Sequence, residues 1–253
     1  MLMATMKIHG SVAAVLAAVV VSTIGIVAQT PAQPPPATMT QQQINEEMLK
    51  ELRQIRQLLE RLTQPQTPPQ PTSARITNLK GFALGRPDAP LTMIEFTDLQ
   101  CPFCRQYATV TFEEIKRNWI DTGRLRYISR DFPLDIHPQA MPAARAARCA
   151  GEQGKFWELR MTLMRNANLL SPDYITKTAA DLKLDPAAFA ACTASTKFDA
   201  EIQAELQEGT RIGINGTPTF VIGKTGAAVE GPVVVGALPY VQFDAKLKDV
   251  LAK

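Results

Sequence analysis

The sequence is poor in several kinds of residue, and each shortage narrows the class of protein. It has only two histidines, four cysteines and 6% aromatic residues, and its formal net charge is only +3. The basic residues are scattered, without the clustered runs that are typical of nucleic-acid binding. We therefore expect no nucleic-acid partner.

The shortage of metal ligands argues against a structural zinc site. Cys101 and Cys104 form one C-x-x-C motif, but Cys149 and Cys192 do not form a second one. Zinc would need two more ligands at suitable spacing. We predict that the chain binds no metal and no cofactor.

The first 28 residues are typical of an export segment. Lys7 is followed by an uncharged, apolar stretch, residues 11–28. This stretch is longer than the core of most signal peptides and just long enough to span a bilayer, so either a cleaved signal peptide or a membrane anchor fits. Both interpretations place the rest of the chain in the periplasm or another extracytoplasmic space, where disulfides persist.

Residues 29–74 combine two Pro-rich spacers with an amphipathic helix predicted at 41–63. Apolar residues recur in this helix at alternating spacings of four and three, as in a coiled-coil seam. The seam residues are Met48, Leu52, Ile55, Leu59 and Leu62. An isolated helix of this length is marginal in water. We expect a homo-oligomer through 41–63; packing on the chain's own domain and a frayed spacer remain open alternatives.

Residues 75–253 indicate one α/β domain with a small mixed sheet. A short apolar run predicts a buried strand at Leu91–Thr97, and a helix follows from the cysteines to about Ile120. A helical insertion is expected at about 138–213. The other predicted elements are strands at Leu125–Ser129, Thr219–Ile222 and Val233–Val235 and a closing helix at Tyr240–Ala252.

The spacing of Cys101 and Cys104 at a helix start favours redox chemistry. Free N–H groups and the positive end of the helix dipole stabilise a thiolate there, and the thiolate is the nucleophile of disulfide exchange. We expect Cys101 to be the exposed attacker and Cys104 to be the buried resolving thiol. Pro102 suits the first helical position. A static structural disulfide is the alternative.

Two separated motifs resemble the DsbA-like thiol–disulfide oxidoreductases. Residues 95–104 (EFTDLQCPFC) are similar to the first active-site segment of that family, and residues 213–220 (GINGTPTF) to the second. Residues 85–90 and 130–133 also match segments common in the family. The resemblance covers about 82–253 and implies a thioredoxin-like mixed sheet with an inserted helical domain.

The resemblance also implies roles for residues outside the cysteine pair. Pro218 would be cis and would face the cysteines, although a trans proline at a strand start is the alternative. Glu95 would be a buried carboxyl that passes protons to or from Cys104. A carboxyl in an apolar strand is expected to have a raised pKa, unless it faces solvent at the sheet edge. The predicted catalytic set is therefore Cys101, Cys104, Glu95 and Pro218.

Pro102, Phe103 and Thr217 are predicted to contact the substrate. Phe103 cannot donate a hydrogen bond to the thiolate, as a histidine at this position could. We therefore expect Cys101 to be less acidic, and its disulfide less oxidising, than in the most oxidising members of the family.

Cys149 and Cys192 lie in the predicted helical insertion. Two buried cysteines in neighbouring helices should pair in an oxidising compartment, and the resemblance implies the same pairing. Such a bridge contributes roughly 3–4 kcal/mol in the chain-entropy model. A second redox relay is the alternative. His137 is interpreted as a polar residue at a helix entry, with a catalytic role left open.

These patterns predict an exported enzyme that forms or isomerises disulfides in extracytoplasmic proteins. Its substrates would be unfolded or cysteine-containing polypeptides that lie in an extended form beside Pro218. A membrane redox partner would reset the cysteine pair. The alternative is a redox-inactive, peptide-binding chaperone on the same fold.

Overall fold

The computed structural model describes residues 40–63 and 71–253, which fall in two separate compact units. The predicted export segment and most of both Pro-rich spacers lie outside the described residues. In the first unit, helix α1 spans Gln41–Thr63, the predicted bounds. Its seam residues Met48, Leu52 and Ile55 are 50–56% exposed. None of the helices in the described ranges combines the length and the hydropathy needed to cross a membrane.

The second unit contains six strands and a series of helices. The strands are β1 (Ser73–Ile76), β2 (Phe82–Leu84), β3 (Leu91–Thr97), β4 (Leu125–Asp131), β5 (Thr219–Lys224) and β6 (Val229–Val235). Between β3 and β4 lies one continuous helical segment, the cysteine helix, composed of α2 (Pro102–Gln106), a π-helical turn (Tyr107–Thr111), α3 (Phe112–Ile115) and a second π-helical turn (Lys116–Ile120). The other helices are α4 (Ala140–Glu152), α5 (Phe156–Arg165), a 3-10 helix (Ala167–Leu169), α6 (Pro172–Asp181), α7 (Pro186–Ala194), α8 (Asp199–Arg211) and α9 (Tyr240–Ala252).

The strands form a mixed sheet in the order β1-β6-β5-β3-β4-β2. At its centre, β3 pairs in parallel with β4 and antiparallel with β5. This arrangement, with helices α4 to α8 inserted between β4 and β5, confirms the predicted fold class. Strands β1 and β2 were not predicted, because edge strands of four and three residues are too short to show a period.

The two faces of β3 pack into different parts of the core. All seven residues of the strand are buried, and successive side chains point to opposite faces. Leu91 and Met93 pack in the cluster that contains the cysteine helix, whereas Ile94 and Phe96 pack in the cluster on the other face. Glu95 has the same parity as Leu91 and Met93, so its carboxyl points toward the cysteine helix.

A disulfide joins two helices of the insertion, and buried ion pairs join the insertion to the sheet. A disulfide joins Cys149 of α4 to Cys192 of α7, with a Cα–Cα distance of 5.8 Å, so the pairing expected from the sequence is present. Arg148 of α4 forms buried ion pairs of 2.6 Å with Asp131 of β4 and with Glu205 of α8. These contacts position α4 and α8 against the end of β4.

Candidate active site

The cysteine pair occupies the start of the cysteine helix. Cys101 is the N-cap residue, Pro102 is the first helical residue, and the backbone N–H of Arg105 donates to the Cys101 carbonyl at 3.0 Å. The helix begins here because the fixed φ of proline suits the first turn. Proline also lacks a backbone N–H, and an N–H at this position would have no acceptor within the helix. Both thiols are free, and Cys104 is fully buried one turn into the helix.

The expectation that the Cys101 side chain is exposed is wrong. The residue is only 3% exposed, because the loop that precedes β5 lies over it. Its Sγ donates to the backbone carbonyl of Thr217 at 3.4 Å. Phe103, in contrast, is 61% exposed. The Cys101 thiol therefore lies beneath the loop, and the exposed residues of the motif are Pro102 and Phe103.

The two thiols differ in acidity for a physical reason. Hydrogen bonding by the Cys104 thiol is the largest influence that lowers the pKa of Cys101, from 9.0 to about 6. The Thr217 side chain and the backbone N–H groups of Cys104 and Phe103 add to this effect, while burial opposes it. Burial, followed by the hydrogen bond with Cys101 and then the charge of Cys101, raises the pKa of Cys104 well above its ordinary value. The helix start thus stabilises one thiolate and keeps the other thiol protonated.

The value for Cys101 agrees with the expected moderate acidity. Reactive cysteines at helix N-termini and in C-x-x-C motifs have pKa values of about 3.5–7.5. A pKa of about 6 lies in the upper half of this range. The phenyl ring of Phe103 adds no donor to the thiolate, whereas the backbone N–H of the same residue does.

The loop beside the pair contains a cis peptide bond between Thr217 and Pro218. The Pro218 carbonyl accepts a hydrogen bond from Gly236 N–H at 2.8 Å, which attaches the loop to the end of β6. The Thr217 hydroxyl is buried and, within the described ranges, has no hydrogen-bond partner while Cys101 is a thiol. It is available to donate when the thiolate forms.

Glu95 is a buried carboxyl on the side of β3 that faces the cysteine helix, but its surroundings differ from the expected apolar strand. The residue is fully buried, so it does not face solvent. Its Oε2 accepts a hydrogen bond from the Tyr127 hydroxyl at 2.6 Å and forms an ion pair with the guanidinium of Arg160. The carboxyl is therefore part of a buried polar cluster to which the helical insertion contributes a cation.

Arg160 was missed, although its position in α5 carried a signal. It follows Phe156 and Leu159 at helical spacing, so it lies on the apolar face of the helix, where it is 2% exposed. A buried cation needs a nearby counterion. Glu95 is the one acidic residue within the predicted strand at Leu91–Thr97, which made it the obvious candidate partner.

A second polar group connects the site to the entry of the helical insertion. Asp98, which follows β3, accepts hydrogen bonds from the backbone N–H of Gln100 at 2.7 Å and of Leu134 at 2.9 Å. The Nδ1 atom of His137 lies 2.7 Å from the same carboxyl group. His137 thus helps to hold the loop in front of the cysteines.

The surface around the pair carries apolar side chains. The 3-10 helix that ends at Leu169 packs near α2, and Leu169 is 52% exposed. Phe103 of α2 is also exposed, and these two exposed apolar side chains are called the rim below. In residues 40–63 and 71–253, no group of three or more His, Cys, Asp or Glu side chains is placed to hold a metal ion.

The fold and this site define a thioredoxin-fold protein with an inserted helical domain. Residues 77–233 match a family model described as Thioredoxin. Because the match covers more than half of the chain, the protein belongs to the thioredoxin family.

Similar solved structures come from DsbA-type proteins. Wolbachia pipientis alpha-DsbA1 has a TM-score of 0.60 at 25% identity, covering 67% of this chain and 90% of that protein. BdbD from Bacillus subtilis, in its oxidised form, has a TM-score of 0.64 at 19% identity, covering 73% of this chain and 100% of that one, which shows a common fold. The predicted resemblance to the DsbA-like family is confirmed.

Curated relatives match only in part of their length. The Na(+)/H(+) antiporter NhaA 3 of Salinispora tropica is 34% identical over 155 residues, 61% of this chain and 23% of the antiporter. NhaA 1 of Mycolicibacterium vanbaalenii is 31% identical over 179 residues, 68% of this chain and 28% of the antiporter. This chain spans about a quarter of the length of these relatives, and the likeness concerns that part alone.

Proposed function

We propose that the chain is an exported thiol–disulfide oxidoreductase that forms or isomerises disulfides in extracytoplasmic proteins. The observation that carries this proposal is the asymmetry of the cysteine pair at the helix start. The pKa of Cys101 is lowered to about 6, whereas that of Cys104 is raised well above its ordinary value. At neutral pH one sulfur is a thiolate that can attack or leave, and the other is a protonated reserve.

Oxidation of a client would proceed in two exchanges. A client thiolate attacks Cys101 Sγ of the oxidised pair, the Cys101–Cys104 bond breaks, and Cys104 leaves and takes up a proton. A second client thiolate then attacks the client sulfur of the mixed disulfide, and Cys101 leaves as a stabilised thiolate. Two electrons pass from the client dithiol to the pair, and a membrane redox partner would accept them to restore the disulfide.

Client polypeptides would lie in an extended form across the rim of Phe103 and Leu169, beside Pro218. Exposed apolar side chains recognise unfolded segments without requiring a particular sequence. Pro102 and Thr217 border the same sulfur. Because Thr217 lies over Cys101, the loop must shift, or the client must enter beside it, for attack at the sulfur.

Oxidation and isomerisation are supported by different features. A stabilised Cys101 thiolate favours the reduced pair and therefore makes the disulfide a better oxidant. Self-association through α1 would place several sites around one client, which suits isomerisation. In α1 the exposed seam residues Leu52 and Ile55 provide an apolar stripe for a second copy of the chain.

The experiment that tests the activity compares oxidation of reduced ribonuclease, reactivation of scrambled ribonuclease and reduction of insulin. Cys101→Ser should abolish all three activities. The matched control is the double variant Cys149→Ala and Cys192→Ala, which removes the other two sulfurs and should remain active. If the Cys101→Ser protein kept its effect on ribonuclease refolding, the peptide-binding chaperone would be the better description.

A further inference from the structure

The two oxygens of the Glu95 carboxyl have different surroundings. Oε2 accepts hydrogen bonds from the Tyr127 hydroxyl and from the Arg160 guanidinium. Oε1 is buried, and among the described residues it has no hydrogen-bond partner. A buried polar atom without a partner costs roughly 1–3 kcal/mol, so such atoms tend to mark a functional site. One oxygen is held in place, and the other is open to a proton donor.

Arg160 is oriented by contacts other than Glu95. Its Nε donates to Ser129 Oγ at 3.1 Å, and its Nη1 contacts Met161 Sδ at 3.4 Å. The guanidinium carbon lies 5.2 Å from the centroid of the Trp157 ring. These contacts direct the remaining nitrogen, Nη2, at Glu95.

Cys104 lies on the same side of the sheet as this carboxyl. The charge of Glu95 contributes to the raised pKa of the Cys104 thiol, after burial and the effects of Cys101. The hydroxyl of Tyr107, one turn along the helix from Cys104, is also buried without a partner in the described chain. The titratable and charged groups around Glu95 are Arg160 from α5, Tyr127 from β4, and Cys104 and Tyr107 from the cysteine helix, with Asp131 of β4 acting on Arg160.

We propose that Arg160 is a positioning residue for the exchange step of the buried cysteine, acting through Glu95. Arg160 and Tyr127 hold Oε2, so that Oε1 remains the acceptor for the Cys104 proton. The inserted helical domain thereby controls proton transfer in a site built by the sheet. This inference depends on the proposed function, because it assigns a role within the exchange reaction.

The resolving step transfers one proton and replaces the mixed disulfide with the Cys101–Cys104 disulfide. In a mixed disulfide at Cys101, the Cys104 thiol gives its proton to Oε1 of Glu95, and its sulfur attacks Cys101 Sγ. A Cys101–Cys104 bond forms, the bond to the partner sulfur breaks, and that sulfur leaves with the electron pair as a thiolate. In client oxidation the same groups act in reverse, and protonated Glu95 supplies the proton to the departing Cys104.

The reaction of the reduced chain with 5,5′-dithiobis(2-nitrobenzoate) separates this step from the first attack. Cys101 releases one thionitrobenzoate when it attacks, and Cys104 releases the second when it resolves the mixed disulfide. Stopped-flow absorbance at a series of pH values gives both rates. We expect Arg160→Met to leave the first phase unchanged and to slow the second phase about tenfold or more, since a positioned acid or base contributes about 10²–10⁴-fold. Arg160→Lys, which keeps the cation, should restore most of the rate of the second phase.

A double-mutant cycle with Glu95→Gln tests whether Arg160 acts through Glu95. In the Glu95→Gln chain, adding Arg160→Met should have no further effect on the second phase. If Arg160→Met slowed both phases equally, or still changed the second phase without Glu95, the proposal would be overturned in favour of a structural role. Failure of Arg160→Lys to restore the rate of the second phase would also overturn it. If the wild-type chain released only one equivalent or none, the proposed function would fail first, which is a separate result.

Discussion

The thiol of Cys101 donates a hydrogen bond to the backbone carbonyl of Thr217 at 3.4 Å, although 116 positions separate the two residues. This contact joins the start of the cysteine helix to the loop that precedes β5. It brings the loop over the sulfur of Cys101, and it places the Thr217 side chain where it can stabilise the thiolate.

The alkylation rate of Cys101 should follow a titration with its midpoint at a pH of about 6. Because the Cys104 thiol is the main cause of the lowered pKa, Cys104→Ala should raise this midpoint more than Thr217→Val does. Cys104→Ser, which keeps a donor, is the matched control and should raise it less than Cys104→Ala. Iodoacetamide labelling of the reduced chain, read by mass spectrometry, measures each midpoint. A wild-type midpoint near 9 would contradict the assignment.

The reduced protein should become more stable as the pH rises from 6 to 8. The pKa of Cys101 is lowered in the folded state, so above about 6 the unfolded chain binds more protons than the folded one. This stabilisation is fully present above the ordinary thiol pKa and is lost as the pH falls through about 6. Urea unfolding of reduced wild type and of Cys101→Ala at several pH values measures it. Equal pH slopes in the two proteins would argue against it.

Removing the disulfide of the helical insertion should reduce stability and leave the active site intact. For a loop closed over a sequence separation of 43, the chain-entropy model gives a loss of roughly 3–4 kcal/mol. The free energy of unfolding of the Cys149→Ala and Cys192→Ala double variant, compared with wild type, tests this value. The alkylation midpoint of Cys101 should not change. A shift in that midpoint would instead show that the bridge is coupled to the redox pair.

Arg148→Met should destabilise the domain by about 3–5 kcal/mol, because it leaves Asp131 buried without its cation and removes one of the two cations paired with Glu205, the other being Arg130. The matched control is Lys197→Met, which removes an exposed ion pair with Glu152. Exposed pairs of this kind contribute about 0–1 kcal/mol. Thermal and urea unfolding of both variants gives the comparison. Similar losses in the two variants would mean that the Arg148 cluster contributes no more than a surface pair.

Self-association through α1 should be lost when charge is placed on its seam. The double variant Leu52→Lys and Ile55→Lys should sediment as a monomer, because two buried lysines at such a seam are unfavourable. Gln54→Lys and Gln57→Lys together add the same charge to the opposite side of the helix and should keep the wild-type mass. Analytical ultracentrifugation of the full chain distinguishes the two. A monomeric wild type would remove the basis of the isomerase argument.

Local patterns were sufficient for the central elements of the fold. Strand β3 was predicted with its observed bounds because seven consecutive buried residues produce a continuous run. The start of the cysteine helix followed from Pro102, whose ring suits a first helical turn. In contrast, β1 and β2 form by pairing with β6 and β4 at the sheet edges. These two strands are too short for their sequences to show a recognisable pattern.

The candidate site was predictable where its chemistry is local and unpredictable where it depends on packing. Side chains alternate between the two faces of a strand, so the position of Glu95 in β3 already indicates that its carboxyl points to the same face as Leu91 and Met93, which is the face of the cysteine helix. The accessibility of Cys101 was predicted wrongly, because the covering loop is distant in the chain. The cation beside Glu95 was overlooked for a similar reason: a helix of the insertion supplies it.

The amino-acid sequence alone determined the redox pair, the helix that begins at it, the buried central strand and the class of fold, since spacing and periodicity over a few residues express each of them. Only the tertiary structure decided that Thr217 covers Cys101 and that Arg160 holds one oxygen of Glu95. Both contacts join segments that are far apart in the chain. Their geometry is determined by how the sheet and the inserted helices pack, which no local pattern records.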